Sequence, residues 1–251
     1  MSEPPTVTAC LVVIGNEILS GRTQDANTAF LAVALNELGI RLAEVRIIPD
    51  VEATIVETVN AVRRHFAYVF TTGGIGPTHD DITASSIARA FGVPLLLNEA
   101  ARARLDAAYR ARGLALNEAR LRMAHAPEGA VLIDNSISAA PGFRIGNVFV
   151  LAGVPAVARA MFEALKPQLS GGLERLSRTI SCRLAESQIA RALGEIQAAR
   201  PEVEIGSYPA WTDHGPQVSL VMSSTDGQAL DRCFAEIAAL VAAEGGEAVE
   251  V

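Results

Sequence analysis

A glycine-rich segment that carries hydroxyl and carboxyl side chains spans residues 71–83 and reads TTGGIGPTHDDIT. Glycines let a backbone approach a ligand closely, and the free N–H groups at the start of a helix attract anions. Two adjacent carboxylates, Asp80 and Asp81, would repel a phosphate unless a divalent cation bridged them. The segment therefore predicts a phosphate site that also binds Mg²⁺ or Mn²⁺. Its glycines are Gly73, Gly74 and Gly76.

A simpler interpretation makes one aspartate the cap of the following helix and the glycines an ordinary turn. A cap needs one carboxylate, whereas this segment concentrates Thr78, Asp80, Asp81 and Thr83 within a short stretch. The segment also lacks the Lys-Ser/Thr ending of a P-loop, and it follows a third strand rather than the first strand that carries a dinucleotide fingerprint. We favour the phosphate and metal site, and the capping alternative remains open at this point.

The elements around this segment alternate between strand-like and helix-like patterns up to about residue 167. That order predicts a three-layer α/β/α domain with a mostly parallel sheet covered by helices on both faces. The first strand is the unbroken apolar run Ala9 to Ile14, and the glycine-rich segment follows a third strand at 67–70. A hairpin at 143–151 runs into Gly153-Val154-Pro155 and a further helix.

The chain is predicted to divide near a Ser-Gly-Gly stretch at 169–173. Residues 1–168 would form the α/β domain, and residues 173–251 a smaller α+β domain. In the smaller domain, residues 208–214 are expected to be a loop between two strands, with Trp211 packing against the protein rather than binding a ligand. The arginines of a helix predicted at 99–112 are expected to form a solvated face.

Ligands of open α/β sheets bind at the carboxyl ends of the strands, so the residues after each strand should meet in one crevice. Carboxylates follow three of these strands, and they would form an acidic crescent around the glycine amides. A solvated or capping role is an equal alternative for any single member, but five acidic residues at strand ends favour a common site. The acidic residues are Glu17, Asp25, Asp50, Asp80 and Asp81.

Composition limits the classes of function. The 251 residues carry a net charge of −7 with a pI near 5.2, which argues against a general nucleic-acid or membrane-surface partner. Cys10, Cys182 and Cys233 are far apart in the sequence and suggest neither disulfides nor zinc. The polar start, 1–6, resembles no export signal, and no long apolar run occurs. We expect a cytoplasmic protein with a small-molecule partner.

Four separated motifs resemble one family in order and spacing. They are Gly15-x-Glu17-Ile18-Leu19-x-Gly21-x3-Asp25-x-Asn27, then Pro49-Asp50, then the segment Thr72 to Thr83, then Gly153-Val154-Pro155. Together they are similar to the amino-terminal domain of competence/damage-inducible protein A, in the MoaB/Mog group of molybdopterin-binding folds. The resemblance covers about residues 7 to 167. Asn16 and Ala152 depart from it, because the family frequently has aspartate and proline there.

The resemblance implies two chemistries. Molybdopterin adenylyltransferases of the Mog type use aspartates that match Asp50 and Asp81, whereas proteins of the competence type hydrolyse pyrophosphates such as ADP-ribose or FAD with a divalent metal. A basic residue stands at the position of Asp80 in Mog-like proteins, so the double aspartate favours the competence type. The family also forms dimers or trimers, which implies a homo-oligomer here.

The leading hypothesis is accordingly a metal-dependent nucleotide pyrophosphatase. Its predicted catalytic residues are Asp50, which would orient or deprotonate the attacking water, and Asp81. The predicted ligands of Mg²⁺ or Mn²⁺ are Glu17, Asp80 and Asp81, and the predicted phosphate or substrate contacts are Gly73, Gly74, Gly76, Thr78, Asn27, Gly153 and Pro155. The alternative is a protein that binds molybdopterin or a nucleotide without turnover, or that serves molybdenum cofactor biosynthesis.

Overall fold

The structure is a computed structural model that describes residues 7–212 and 215–251. It divides into two compact units between Gly172 and Leu173. Among the described residues, no helix has the length and apolar character needed to cross a bilayer. The expectations for residues 1–6 and for Asp213 and His214 lie outside the described residues.

The first unit alternates strands and helices as predicted. Its elements are β1 (Val7–Ile14), α1 (Asn16–Leu19), α2 (Asn27–Asn36), β2 (Ile40–Ile48), α3 (Glu52–Val62), β3 (Tyr68–Thr72), α4 (Thr83–Phe91), β4 (Leu95–Leu97), α5 (Glu99–Ala111), α6 (Glu118–Arg122), β5 (His125–Pro127), β6 (Val131–Ile133), β7 (Gly142–Ile145), β8 (Val148–Leu151) and α7 (Pro155–Leu165). A short 3-10 helix follows at Lys166–Gln168.

The main sheet has the strand order β2-β1-β3-β8-β7-β6. The strands β2, β1, β3 and β8 are parallel to one another, and the hairpin β7–β8 adds the antiparallel edge. The sequence predicted this mostly parallel sheet. β4 lies outside it, because it pairs with β5 in a separate two-stranded sheet.

The central strand β1 shows why helices cover both faces of the sheet. Leu11 and Val13 belong to a core that also contains residues of α2 and α7. Cys10, Val12 and Ile14 belong to a second core, formed with residues of α3 and α4. Since successive side chains of a strand point to opposite faces, an uninterrupted apolar run is buried on both sides. The predicted three-layer α/β/α architecture is confirmed.

The second unit is an antiparallel sheet packed against two helices, and it confirms the predicted smaller α+β domain. Its elements are β9 (Leu176–Cys182), α8 (Glu186–Ala199), β10 (Glu204–Thr212), β11 (Gly215–Ser224), α9 (Gly227–Ala243) and β12 (Val249–Glu250). The sheet order is β10-β11-β9-β12. Alternate residues of β11, including Val218, Leu220 and Met222, are buried in the core that α8 and α9 complete.

One local expectation for this unit is wrong. Tyr208 to Thr212 continue β10 and pair with the start of β11, rather than forming a loop. Aromatic and β-branched side chains favour extended structure, which explains why the strand extends through this stretch. Trp211 does not pack against the unit, since 85% of its surface is exposed.

Candidate functional site

The carboxyl ends of the four parallel strands lie side by side at one edge of the main sheet. Backbone hydrogen bonds extend the pairing by one residue beyond two of these strands. The N–H of Gly15, after β1, donates to the carbonyl of Ile48 at 3.1 Å, and the N–H of Gly73, after β3, donates to the carbonyl of Leu151 at 3.2 Å. The loops that carry the predicted motifs therefore begin next to one another, in the order of the strands.

Gly73 lies where the backbone leaves the sheet and three segments pack closely. Its φ is +101°, and a Cβ at this position would lie 2.1 Å from the carbonyl oxygen of Ile14. A Cβ on Gly153, in the loop after β8, would lie 3.2 Å from the Cα of Gly73. Gly73 is therefore required for packing, and its N–H is already used by Leu151. The prediction that this amide binds phosphate is corrected for that reason.

The start of α4 holds the glycine-rich loop in place. The N–H of Thr83 donates to the carbonyl of Gly74 at 2.9 Å, and its hydroxyl donates to the carbonyl of Gly73 at 2.9 Å. The residue that precedes the helix is Ile82, and no side chain caps it. The alternative in which Asp80 or Asp81 caps α4 is therefore wrong.

Asp81 is instead turned back toward the loop. Its Oδ2 accepts hydrogen bonds from the backbone N–H of Thr78, at 2.7 Å, and from the Thr78 hydroxyl. A Cβ on Gly76 would lie 2.7 Å from the same Oδ2, so the carboxylate packs directly over the Gly76 backbone. Thr78 was predicted to hold phosphate. Its backbone N–H and its hydroxyl both donate to Asp81, and these two bonds fix the position of the Asp81 carboxylate.

Two amides of the loop remain available to a ligand. Within the described residues, the N–H groups of Gly74 and Gly76 donate to no other protein group. Both glycines line the same cavity as Asp81. These two amides, rather than all three glycine amides, keep the predicted capacity to hold an anion.

A wide cavity of about 580 Å³ opens beside this loop. Glu17, Asp81 and the glycines line it, and so do Gly153 and Pro155 from the loop after β8. Thr23, Arg112 and Ser138 also line it, and most of its apolar side chains come from α5, α7 and the residue after α6. Residues of this apolar wall are Leu105, Ala108, Tyr109, Met123, Val157 and Met161.

A second, narrow cavity of about 260 Å³ shares the glycine-rich loop with the first. Gly74, Gly76, Asp81 and Met123 line both cavities. The narrow cavity is completed by α4, β4, β5 and β7, and its lining combines polar and apolar side chains. Its own lining includes Ala84, Ser85, Arg122, His125 and Phe143.

Asp80 lines neither the wide nor the narrow cavity. Its side chain is 65% exposed, and it lies 4.0 Å from Nδ1 of His79. The nearby Thr78 side chain is the largest cause that lowers the pKa of this carboxyl, and the backbone N–H of Asp80 itself and His79 act in the same direction. Asp80 is thus a solvated carboxylate beside the site.

Asp50 and Asp25, two other members of the predicted crescent, accept backbone hydrogen bonds in the loops that carry site residues. Oδ2 of Asp50 accepts the backbone N–H of Asn16 at 2.8 Å, which ties the loop after β2 to the turn that carries Glu17. Oδ1 of Asp25 accepts the N–H of Asn27 at 2.9 Å at the start of α2. Neither aspartate lines the wide or the narrow cavity.

Asn27 is a buried residue that connects two of these loops. Its Nδ2 donates to the carbonyl of Gly153 at 2.9 Å. Its Oδ1 has no hydrogen-bond partner, and neither has Oγ1 of Thr72, although both atoms are buried. Both residues line a cavity of about 50 Å³ between β1, α2 and the Gly73 backbone. Asn27 therefore holds the loop after β8 by this hydrogen bond and does not line the wide cavity.

The fit of a divalent metal rests on Glu17 and Asp81. Among residues 7–212 and 215–251, no group of three or more His, Cys, Asp or Glu side chains is arranged to hold a metal. Mg²⁺, however, is commonly bound by one or two carboxylates together with the phosphates of a substrate. Glu17 and Asp81 line the same cavity and fit that arrangement, whereas Asp80 stands outside it.

Sequence reasoning missed the contribution of α5 and the residue after it to the wide cavity. Tyr109 and Arg112 line this cavity, although the arginines of the helix predicted at 99–112 were expected to form a solvated face. The arginines within α5 do form surface ion pairs, for example Arg104 with Asp134. The helix α6, which was not predicted, begins after Asn117, whose side chain accepts the N–H of Arg120. That cap was the available signal.

Comparison with known proteins gives two family matches in sequence. Residues 10–171 match a family described as "Probable molybdopterin binding domain". Residues 174–248 match the family "FAD synthase, middle domain".

Individual relatives agree with these matches. A protein from Aeropyrum pernix is 35% identical over 94% of this chain and 91% of its own length. A "Probable FAD synthase" from Caenorhabditis elegans is 31% identical over 95% of this chain, which spans about half of that relative (51%).

Among solved structures, CinA from Thermoplasma acidophilum, described as a protein of unknown function, is 31% identical with a TM-score of 0.59. The match covers 64% of this chain and 96% of that chain. The chain therefore belongs to the molybdopterin-binding (MoaB/Mog) domain family and is CinA-like in its first unit, and its second unit is similar to the middle domain of FAD synthase.

Proposed function

We propose that this protein is a divalent-metal-dependent pyrophosphatase that cleaves the P–O–P bridge of a dinucleotide of the FAD or ADP-ribose class. The observation that carries the proposal is that Glu17, Asp81 and the free amides of Gly74 and Gly76 line one cavity. Amides suit an anionic phosphate, and carboxylates suit a cation that bridges to it. A metal-bound pyrophosphate satisfies both sets of groups together.

Six residues of the site have separate tasks in the proposed reaction. The amides of Gly74 and Gly76 bind phosphate oxygens, and Glu17 and Asp81 would hold the metal. The metal, when bound, neutralises charge on the phosphates and lowers the pKa of an attacking water. Thr78 and Asp50 act as positioning residues, because Thr78 donates two hydrogen bonds to Asp81 and Asp50 holds the turn that carries Glu17.

The overall reaction consumes one water. The water oxygen forms a bond to one phosphorus, the bond between that phosphorus and the bridging oxygen breaks, and the two protons of the water end on the products and solvent. Two phosphomonoesters result, for example FMN and AMP from FAD.

The flavin nucleotide class is supported by the relatives. Residues 174–248 match a family described as "FAD synthase, middle domain", and relatives that match most of this chain carry the name "Probable FAD synthase". These names concern those proteins. They make FAD the first substrate to test for this chain, with ADP-ribose as the second.

The test is an assay of mononucleotide release. We expect the protein with Mn²⁺ to release FMN and AMP from FAD, or AMP from ADP-ribose, and EDTA to abolish the release. The Asp81→Asn variant keeps the size of the side chain and removes its charge, and we expect it to lose most of this activity. No release by the unmodified protein, or equal release by both proteins, would contradict the proposal.

A second candidate function is the binding of a pterin or nucleotide without turnover. The observation that favours it is the apolar wall of the wide cavity, which suits a fused-ring ligand such as molybdopterin. Pterin that remains bound through purification would be visible by its fluorescence after oxidation. Retained pterin together with no phosphate release would support this alternative over hydrolysis.

A further inference from the structure

One edge of the main sheet ends in a long open strand. β2 is the outermost strand of the order β2-β1-β3-β8-β7-β6, and among the described strands it pairs with β1 alone. It has nine residues and contains no proline, whereas β6, at the opposite edge, has three residues. Natural sheets usually keep an edge strand short or interrupt it, because its unpaired backbone groups can pair with another strand. The length of β2 therefore indicates an interface.

The pairing with β1 shows which backbone groups of β2 face outward. The carbonyl of Ile48 accepts a backbone N–H from the residue that follows β1, at 3.1 Å, and so it faces β1. Successive residues of a strand direct their N–H and C=O groups to opposite sides, and the register with β1 is regular over 44–48. The backbone groups of Arg46 therefore face β1, and those of Val45 and Ile47 face outward.

The side chains of Val45 and Ile47 extend the apolar face of the sheet to this edge. Their neighbours on β1 are Leu11 and Val13, which belong to the buried core on the side of α2 and α7. Val45 and Ile47 themselves keep 38% and 44% of their surface exposed. The edge thus combines outward backbone groups with an uncovered apolar stripe.

The charged residues of β2 favour one register with a second copy of the same strand. Glu44 and Arg46 lie on the opposite face from Val45 and form an ion pair at 2.6 Å. Two identical antiparallel strands related by a two-fold axis are centred on one residue that faces itself. A centre at Glu44 or Arg46 would set like charges opposite each other, which is unfavourable. A centre at Val45 instead sets each Glu44 opposite an Arg46.

We infer that two copies of this chain associate through β2, antiparallel and centred on Val45, so that their main sheets form one continuous sheet. The N–H and C=O groups of the two Val45 residues bond to each other, Ile47 lies beside the exposed Ala43 of the second copy, and a Glu44–Arg46 pair forms on each side of the axis. A second copy is the partner because this strand is complementary to itself in charge, in apolar side chains and in backbone groups. The inference concerns assembly and is independent of the proposed hydrolysis.

The first test is the oligomeric state and its dependence on charge. Sedimentation velocity should show the unmodified protein as a dimer at micromolar concentration. Arg46→Glu makes the facing residues like-charged and should raise the dimer dissociation constant by about ten-fold or more, and Glu44→Arg should do the same. An equal mixture of the two variants should associate again, because every facing pair is then opposite in charge.

The matched control for charge is Arg64→Glu, which makes the same change at an exposed position outside β2 and should leave the dissociation constant unchanged. The double variant Glu44→Arg/Arg46→Glu restores both the facing pairs and the pair within the strand, so it should dimerise like the unmodified protein. A monomeric unmodified protein, or equal weakening by the control, would overturn the inference.

The second test reads the register directly with cysteines. In the proposed pair the two Val45 Cα atoms lie about 5.5 Å apart, within disulfide range, whereas the two Ala43 Cα atoms lie about 14 Å apart. Val45→Cys should therefore give a disulfide-linked dimer under mild oxidation, and Ala43→Cys, at another exposed position of the same strand, should not. The three native cysteines are buried and do not interfere. Equal linking of both variants, or linking of neither, would contradict this interface.

Discussion

Nδ2 of Asn27 donates a hydrogen bond of 2.9 Å to the carbonyl oxygen of Gly153, and this bond joins the connection after β1 to the connection after β8. Both connections border the candidate site, and Gly153 and Pro155 line the wide cavity. The residue is almost fully buried, with 5% of its surface exposed. A buried amide that ties two loops together stabilises the fold and sets the shape of the site at the same time.

Asn27→Asp should destabilise the protein by about 3 kcal/mol, because a buried carboxylate would replace the donor and face the Gly153 carbonyl without a partner. Asn27→Ala should cost about 1–3 kcal/mol through the unsatisfied carbonyl. Urea unfolding followed by circular dichroism measures both. Gln168→Glu, at an exposed position, is the control and should change stability by less than about 0.5 kcal/mol. Similar losses for Asn27→Asp and the control would contradict a structural role for Asn27.

Gly73 gives a second prediction that separates backbone conformation from close packing. Gly73 and Gly21 both have positive φ, at +101° and +72°. A Cβ on Gly73 would meet the Ile14 carbonyl, whereas a Cβ on Gly21 would meet nothing within 4 Å. Gly21→Ala should therefore cost only about 1–2 kcal/mol of conformational strain.

Gly73→Ala should cost more than that, because β1 and β3 must separate to admit the methyl group. The midpoint of thermal unfolding for the two variants gives the comparison. Equal destabilisation by the two substitutions would show that the Ile14 contact is relaxed at little cost, and it would remove the packing argument for this glycine.

The sequence was sufficient to predict the main sheet and the location of the site. The apolar run of β1 allowed only a strand buried on both faces, and the strand-end rule then put Glu17 and the glycines at one edge. Such reasoning could not show which backbone N–H groups of the glycines are already hydrogen-bonded within the fold. The pairing of β3 with β8 extends one residue past β3 and consumes the N–H of Gly73, and no spacing pattern reports that extension.

The far wall of the cavities illustrates a second limit. Tyr109, Arg112, Met123 and His125 come from α5, from the segments that follow α5 and α6, and from β5, and they reach the glycine-rich loop only through tertiary packing. The sequence does not distinguish among the arginines of the helix predicted at 99–112. Arg104 forms an ion pair with Asp134 at the surface, whereas Arg112, which follows α5, lines the wide cavity. Helical periodicity does not distinguish between these two surroundings.

The neighbouring aspartates Asp80 and Asp81 provide a matched pair for the proposed function. Asp81 lines both cavities and is fixed by Thr78, whereas Asp80 is solvated and lines neither. We expect Asp81→Asn to lower kcat/KM for FAD by about 100-fold or more and Asp80→Asn by about ten-fold or less. A loss at Asp80 as large as that at Asp81 would mean that Asp80 moves onto the metal when substrate binds, and it would contradict the assignment of Glu17 and Asp81 alone.

The buried thiols give a prediction that is independent of activity. Cys10, Cys182 and Cys233 are all buried and free. Burial raises the pKa of each thiol, and for Cys10 the pKa rises from 9.0 to about 11, with Glu44 adding to the rise and Arg46 opposing it. The thiolate is the reactive form, so a disulfide reagent at pH 8 should label none of them in the native protein and all three after unfolding.

The raised pKa of Cys10 makes the unfolding free energy of the protein depend on pH. A group whose pKa is higher in the folded state stabilises the fold below its unfolded pKa, and the contribution is lost as the pH rises through the folded pKa. For Cys10 the loss should occur between about pH 9 and pH 11. Cys10→Ala isolates this contribution, since the other titrating groups are common to both proteins. The difference in unfolding free energy between the unmodified protein and Cys10→Ala should be constant below about pH 8 and should shift against the unmodified protein above pH 9. A difference that stays constant up to pH 11 would show that the Cys10 thiol ionises as easily in the fold as in the unfolded chain.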